Sequence, residues 1–102
     1  MKTQFQAAGL TLDLNTRVVD AGGKQVGLFP NEARLLALLM ERAGEAVARK
    51  DIMEGVWGNS YMGDTRIIDV NVCWLRQKLR TVTETTTIET MRGFGYKLRG
   101  CE

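Results

Sequence analysis

The chain has 102 residues, 44% of them hydrophobic and 25% charged, with a net charge of +2. That length suits one small domain, residues 1–102, and the ordinary globular composition argues against disorder. No apolar run approaches the roughly 20 residues that a bilayer-spanning helix needs, and the N-terminus has no apolar segment of signal type, so the chain is expected in the cytoplasm with no membrane partner.

Residues 9–28 carry short alternating runs. Leu10, Leu12 and Leu14 alternate with Thr11 and Asp13, Asn15-Thr16 turns the chain into Arg17 to Asp20, and Ala21-Gly22-Gly23 turns it into Lys24 to Leu28. The pattern predicts a small antiparallel sheet that must lie against helices, because such short strands cannot stand alone. Pro30 opens a first helix, to about Ala43, with Glu32 in the turn where a carboxylate suits the dipole and Gly44 as its stop. Its leucines cover so wide a face that it must be central to the core.

Arg49 to Val56 predicts a shorter second helix with Ile52, Met53, Val56 and Trp57 on its apolar side. Gly58 to Gly63 is a loop, in which Tyr61 and Met62 are expected to tuck beneath it. The long helix follows, from Asp64 or Thr65 to Arg80. Ile68, Val72, Leu75 and Leu79 form its core stripe, and Asp64 is placed to cap its first turn. Opposite the stripe stand Arg66, Val70, Cys73, Trp74 and Gln77, flanked by Arg76, Lys78 and Arg80. Thr85 to Met91 and Tyr96 to Leu98 then make a terminal hairpin around Gly93-Phe94-Gly95.

Cys73 and Cys101 have no metal-ligand spacing, and the chain has no histidine, so neither a metal nor another cofactor is expected. One disulfide is conceivable, but a mid-helix Cys73 in a cytosolic chain favours a reduced thiol. Paired carboxylates, a serine elbow and a phosphate-cradling glycine loop are missing too, which makes an enzyme a poor reading. From Thr65 onward seven bases stand against four acids, whereas residues 1–64 have seven against eight. Positive charge therefore gathers on the C-terminal third, beside an outward Trp74 that is costly to leave in water.

Three strings carry a resemblance. Val56-Trp57-Gly58, then Arg66-Ile67-Ile68-Asp69-Val70-Asn71-Val72 with Leu75-Arg76-Gln77-Lys78-Leu79, and then Ile88-Glu89-Thr90-Met91-Arg92-Gly93-Phe94-Gly95-Tyr96-Lys97-Leu98 resemble the signature of the OmpR/PhoB-type effector domain of bacterial two-component response regulators. The match spans residues 10–98, and its strings occur in order at the family's separation. It implies an α+β winged helix-turn-helix: a four-stranded N-terminal antiparallel sheet, three helices and a C-terminal hairpin as the wing. It also implies a transcription factor that binds double-stranded DNA sequence-specifically, with recognition helix 65–80 in the major groove and wing 88–98 in the minor groove.

By the family pattern Trp57, Arg66, Arg76, Thr90 and Tyr96 are candidates for backbone contacts, Arg92 for the minor groove, and Asn71, Cys73, Trp74 and Gln77 for base edges, with Val70 beside them and Lys78 on the flank. The competing reading for Trp57 and Tyr96 is packing, and for Arg76 an ion pair with Asp69. Cys73 and Trp74 stand where many members carry basic or polar residues, so base preference does not transfer. Phe29 and Ala48 replace hydroxyl residues common at two helix starts, each forfeiting a cap worth about 1 kcal/mol. The resemblance further implies RNA polymerase as a partner through loop 58–63, pairing of two copies as a homodimer on repeated half-sites, and a receiver domain in the full-length protein. That receiver domain is absent from these residues, and an excised domain is preferred over a free-standing regulator. The alternative function is a winged-helix protein-interaction module using Val70, Cys73 and Trp74 as an apolar face.

Overall fold

The computed structural model describes residues 2–59 and 61–100. Four short strands, β1 (Gln4–Ala7), β2 (Leu10–Asp13), β3 (Val18–Ala21) and β4 (Lys24–Gly27), form an antiparallel sheet in chain order. Pairing aligns Phe5 with Leu12, Leu12 with Val19 and Val19 with Val26, so one row of apolar side chains crosses the sheet toward the core. Polar Gln4, Gln6 and Thr11 take the other face and are exposed. The Gly22-Gly23 turn has positive φ at both residues, the geometry whose twist matches a tight hairpin, and Asp20 Oδ1 accepts from the Gly23 amide at 3.2 Å. Periodicity alone had predicted three of these strands; β1 is the fourth that the resemblance implied.

Helix α1 (Pro30–Glu41) lies in the middle of the molecule, with Ala33, Leu35, Leu36, Ala37, Leu39 and Met40 buried. It ends two residues before the expected Ala43. Gly44, at φ +83°, then donates to the Leu98 carbonyl at 3.1 Å. As expected, Phe29 and Ala48 supply no side-chain cap. Glu32 partly compensates at the first helix, where its Oε1 accepts from the Phe29 amide at 2.7 Å.

A two-residue strand, β5 (Val47–Ala48), leads into helix α2 (Arg49–Ile52). The expected single helix to Val56 is corrected here, because Met53–Trp57 widens into a π-helical turn closed by the Gly58 amide on the Met53 carbonyl at 2.9 Å. The extra residue in the turn brings Val56 into the core and Trp57 against it. Gly55 lets this turn come close to α1, since a β-carbon there would sit 3.2 Å from Leu38 Cδ2.

Helix α3 (Ile67–Arg80) buries Ile68, Val72, Leu75 and Leu79 as its stripe predicts. It starts later than expected, at Ile67, and Asp64 caps the turn that leads into it: its carboxylate accepts from the Arg66 amide at 2.8 Å, as the sequence predicts, and also from the Arg66 guanidinium at 2.7 and 2.9 Å. Strands β6 (Thr87–Met91) and β7 (Gly95–Arg99) form the terminal hairpin, and β5 adds to β7 to give a second sheet in the order β5-β7-β6. The Thr86 hydroxyl donates to the Ala8 carbonyl at 2.6 Å and ties the base of this hairpin to the first sheet.

Candidate nucleic-acid interface

The core stripe of α3 forces the opposite residues outward. Val70 is 40% and Trp74 46% exposed, and Cys73 and Gln77 are exposed beside them, with Gln77 Nε2 4.0 Å from Cys73 Sγ. A disulfide between Cys73 and Cys101 involves a residue outside the described ones. Arg66 is exposed at the N-terminal edge of this face. Its hydrogen bonds hold the Asp64 carboxyl below the usual carboxylate range and raise the Arg66 guanidinium in turn.

The wing is held alongside this helix by side chains from three elements. Arg76, reaching out from α3, donates from Nε to the Ile88 carbonyl at 2.8 Å and from a terminal nitrogen to Thr90 Oγ1 at 2.7 Å, with its guanidinium over the Tyr96 ring. Arg49, at the start of α2, makes a forked contact to Asp69 of α3 at 2.7 and 3.3 Å and reaches the Thr65 carbonyl at 3.1 Å. The Tyr96 hydroxyl of β7 donates to the same Asp69 carboxylate. The Arg49 amide donates to the Phe94 carbonyl at the wing turn, 3.1 Å away. One carboxylate thus joins α2, α3 and β7. The Arg49 contact, reinforced by Tyr96, holds the Asp69 carboxyl below its ordinary range, while burial and then the Asp69 contact push the Tyr96 phenol up.

At the tip of the wing, Gly93 at φ +76° turns the chain between β6 and β7, leaving Arg92 and Phe94 exposed. Thr90 is exposed on β6, although its hydroxyl already accepts from Arg76.

Four expected site residues are placed differently. Asn71 is 5% exposed and donates to the Ile67 carbonyl at 2.9 Å, so it does not face outward with the others; on the helical wheel it lies next to the core stripe. Tyr96 is 6% exposed with its hydroxyl engaged, which is the packing reading. Lys78 turns toward α1, where its ammonium contacts Glu32 Oε1 at 2.5 Å and sits 4.1 Å from the centre of the Phe29 ring. Glu32 is fully buried, and that negative charge draws the lysine in. Arg76 is bonded to the wing, whereas the partner of Asp69 is Arg49.

Trp57 is half-buried against the core, its ring centre 6.3 Å from that of Tyr61. Tyr61 and Met62 were expected to tuck under their loop, yet they are 37% and 95% exposed: the Tyr61 ring lies over Gly63, where a β-carbon would meet its hydroxyl at 2.3 Å, and Met62 stands in solvent. Sequence reasoning missed the Arg49–Asp69 contact. A signal existed: a base in the first turn of a helix opposes the dipole and calls for a tertiary acid.

Comparison with known proteins places these features. Residues 23–98 match the family model described as transcriptional regulatory protein, C terminal. The chain is 42% identical over 90 residues to the transcriptional regulatory protein CseB of Streptomyces coelicolor, covering 88% of this chain and 37% of that protein. Among solved structures it is similar to the DNA-binding domain of Bacillus subtilis CssR, with 32% identity, a TM-score of 0.74, and 87% and 98% of the two chains covered. It is similar also to the RstA DNA-binding domain of Klebsiella pneumoniae in complex with the RstA box, with 30% identity, a TM-score of 0.76, and 96% and 98% covered. The chain spans about two-fifths of the length of the curated relatives it matches.

Proposed function

Because the chain belongs to the OmpR/PhoB-type family of transcriptional regulatory protein C-terminal domains, we propose that it binds double-stranded DNA sequence-specifically, with α3 in the major groove and the β6–β7 wing reaching the adjacent minor groove. The observation that carries this reading is the pairing of an outward, exposed face on α3 with an exposed Arg92 on a wing that Arg76 holds beside it. A helix fits the major groove and brings side chains to base edges, and a lone arginine on a thin turn suits the narrow, electronegative minor groove. Arg66 at the start of α3 and Thr90 on the wing are exposed beside the face, and with the half-buried Trp57 they would supply backbone contacts that fix register.

In the full-length protein a receiver domain would control this domain in the cytoplasm, and two copies would occupy repeated half-sites. The exposed Tyr61 and Met62 support a contact with RNA polymerase. The test is a retardation assay on the promoter region upstream of its own gene. Arg92→Ala and Arg76→Ala should both weaken binding, and unchanged retention in both would overturn the assigned surface. The exposure of Val70 and Trp74 also favours a second reading, a winged-helix module that binds a protein. Capture of a partner that Trp74→Ala abolishes, with no duplex retained at low salt, would establish it instead.

A further inference from the structure

The bases of α3 stand at the edges of its outer face or are turned away from it. Arg76 is bonded to the wing, Lys78 to Glu32, Arg66 lies at the start beside Asp64, and Arg80 belongs to the last turn. Between them the surface consists of Val70, Cys73, Trp74 and Gln77, spaced i, i+3, i+4 and i+7 so that they form a single stripe. At 1.5 Å rise per residue that stripe runs about 10 Å, the height of about three stacked base pairs.

We propose that this stripe selects A·T pairs in the centre of the half-site, with Val70 and Trp74 packed on thymine C5-methyl groups and the Gln77 carboxamide paired to adenine N6 and N7. The inference rests on the DNA-binding reading above and specifies what that surface prefers. Thymine is the base that offers a methyl group in the major groove, while guanine offers two acceptors usually met by arginine or lysine. Against a G·C pair, valine and the carbon face of the tryptophan ring would strip water from those two acceptors, and the single indole N–H could meet at most one of them, so the stripe works both by attraction to thymine and by rejection of guanine. Gln77 matches adenine because a carboxamide presents a donor and an acceptor side by side.

The experiment is selection of bound duplexes from a randomised pool at low salt, followed by replacement of each central thymine with uracil, which removes the methyl and keeps the base pair. The expected result is A·T enrichment over about three consecutive pairs and a loss of about four-fold for each contacted methyl. Val70→Ala and Trp74→Ala, at exposed positions that spare the core, should bring the thymine-to-uracil ratio toward one at the positions they touch. Gln77→Ala should relax the adenine preference. Central G·C enrichment, or equal binding of thymine and uracil duplexes by the wild type, would overturn the methyl readout while leaving duplex binding intact. Failure to retain any duplex would overturn the DNA-binding reading, and this inference with it.

Discussion

Asp69 ties the recognition helix both to α2 and to the wing strand β7, because its two oxygens meet donors from those two elements. Both contacts favour the ionised form, chiefly the one to Arg49, so its carboxyl sits below the ordinary range in the fold. A lowered folded value stabilises the protein when pH exceeds the unfolded value, about 3.9, and the contribution fades as pH falls through the lowered one. Asp69→Asn keeps an acceptor for the Tyr96 hydroxyl and removes the charge. Its deficit against wild type should be full above about pH 5 and shrink as pH drops below about 4, as read from urea midpoints. At pH 7 that deficit should be about 1 kcal/mol, since Arg49 and Asp69 are both more than one-third exposed and solvent screens the pair. Lys78 presents the opposite case. Its acid partner is wholly buried, and Lys78→Met would leave the Glu32 charge uncompensated at a cost of about 3 kcal/mol, visible as an earlier urea transition. The helical wheel predicted the outward set Val70, Cys73, Trp74 and Gln77 because periodicity reports which side of a helix faces away from its stripe. It could not place Lys78, whose acid lies 46 residues earlier, or Tyr96, whose hydroxyl partner lies 27 residues earlier.

Helices and strands were legible where a period ran long enough to be seen. The four core positions of α3 and the leucine face of α1 are of that kind. The two-residue β5 carries no period, and the π-helical turn after α2 differs from an α-helix by a single residue per turn, which only packing against α1 decides. The wing depends on two glycines for different reasons. Gly93 needs its positive φ, but a β-carbon there meets open space, whereas at Gly95 it would lie 1.9 Å from the Val47 carbonyl oxygen. Gly95 therefore permits β5 and β7 to pair, and β5 leads directly into α2. Gly93→Ala should cost about 1 kcal/mol, the penalty of a left-handed turn, and leave duplex binding measurable. Gly95→Ala must push the strands apart, so it should cost about 3 kcal/mol and loosen the wing, with weaker DNA retention even where circular dichroism still reports the helices.

At the scale of the whole molecule, 38 × 28 × 23 Å, the N-terminal sheet lines one side of the core and the second sheet carries the wing, so order along the chain becomes a division of labour. That arrangement was legible from the three signature strings, since short strands reveal their pairing order only through a known topology. A net charge of only +2 provides little long-range attraction for a polyanion, and affinity must come from a few bases brought to one surface. Each phosphate neutralised releases condensed counterions, so the logarithm of the binding constant should fall linearly with the logarithm of salt, by about 0.9 for each contact. Arg92→Ala removes an exposed base at the wing tip and should lower that slope by about one, with folding unchanged. Trp74→Ala should weaken binding at every salt concentration and leave the slope alone, because a ring on a base edge displaces no counterion. Anisotropy titrations from about 50 to 200 mM salt separate the two. A slope that falls for Trp74→Ala and holds for Arg92→Ala would reverse the roles of helix and wing.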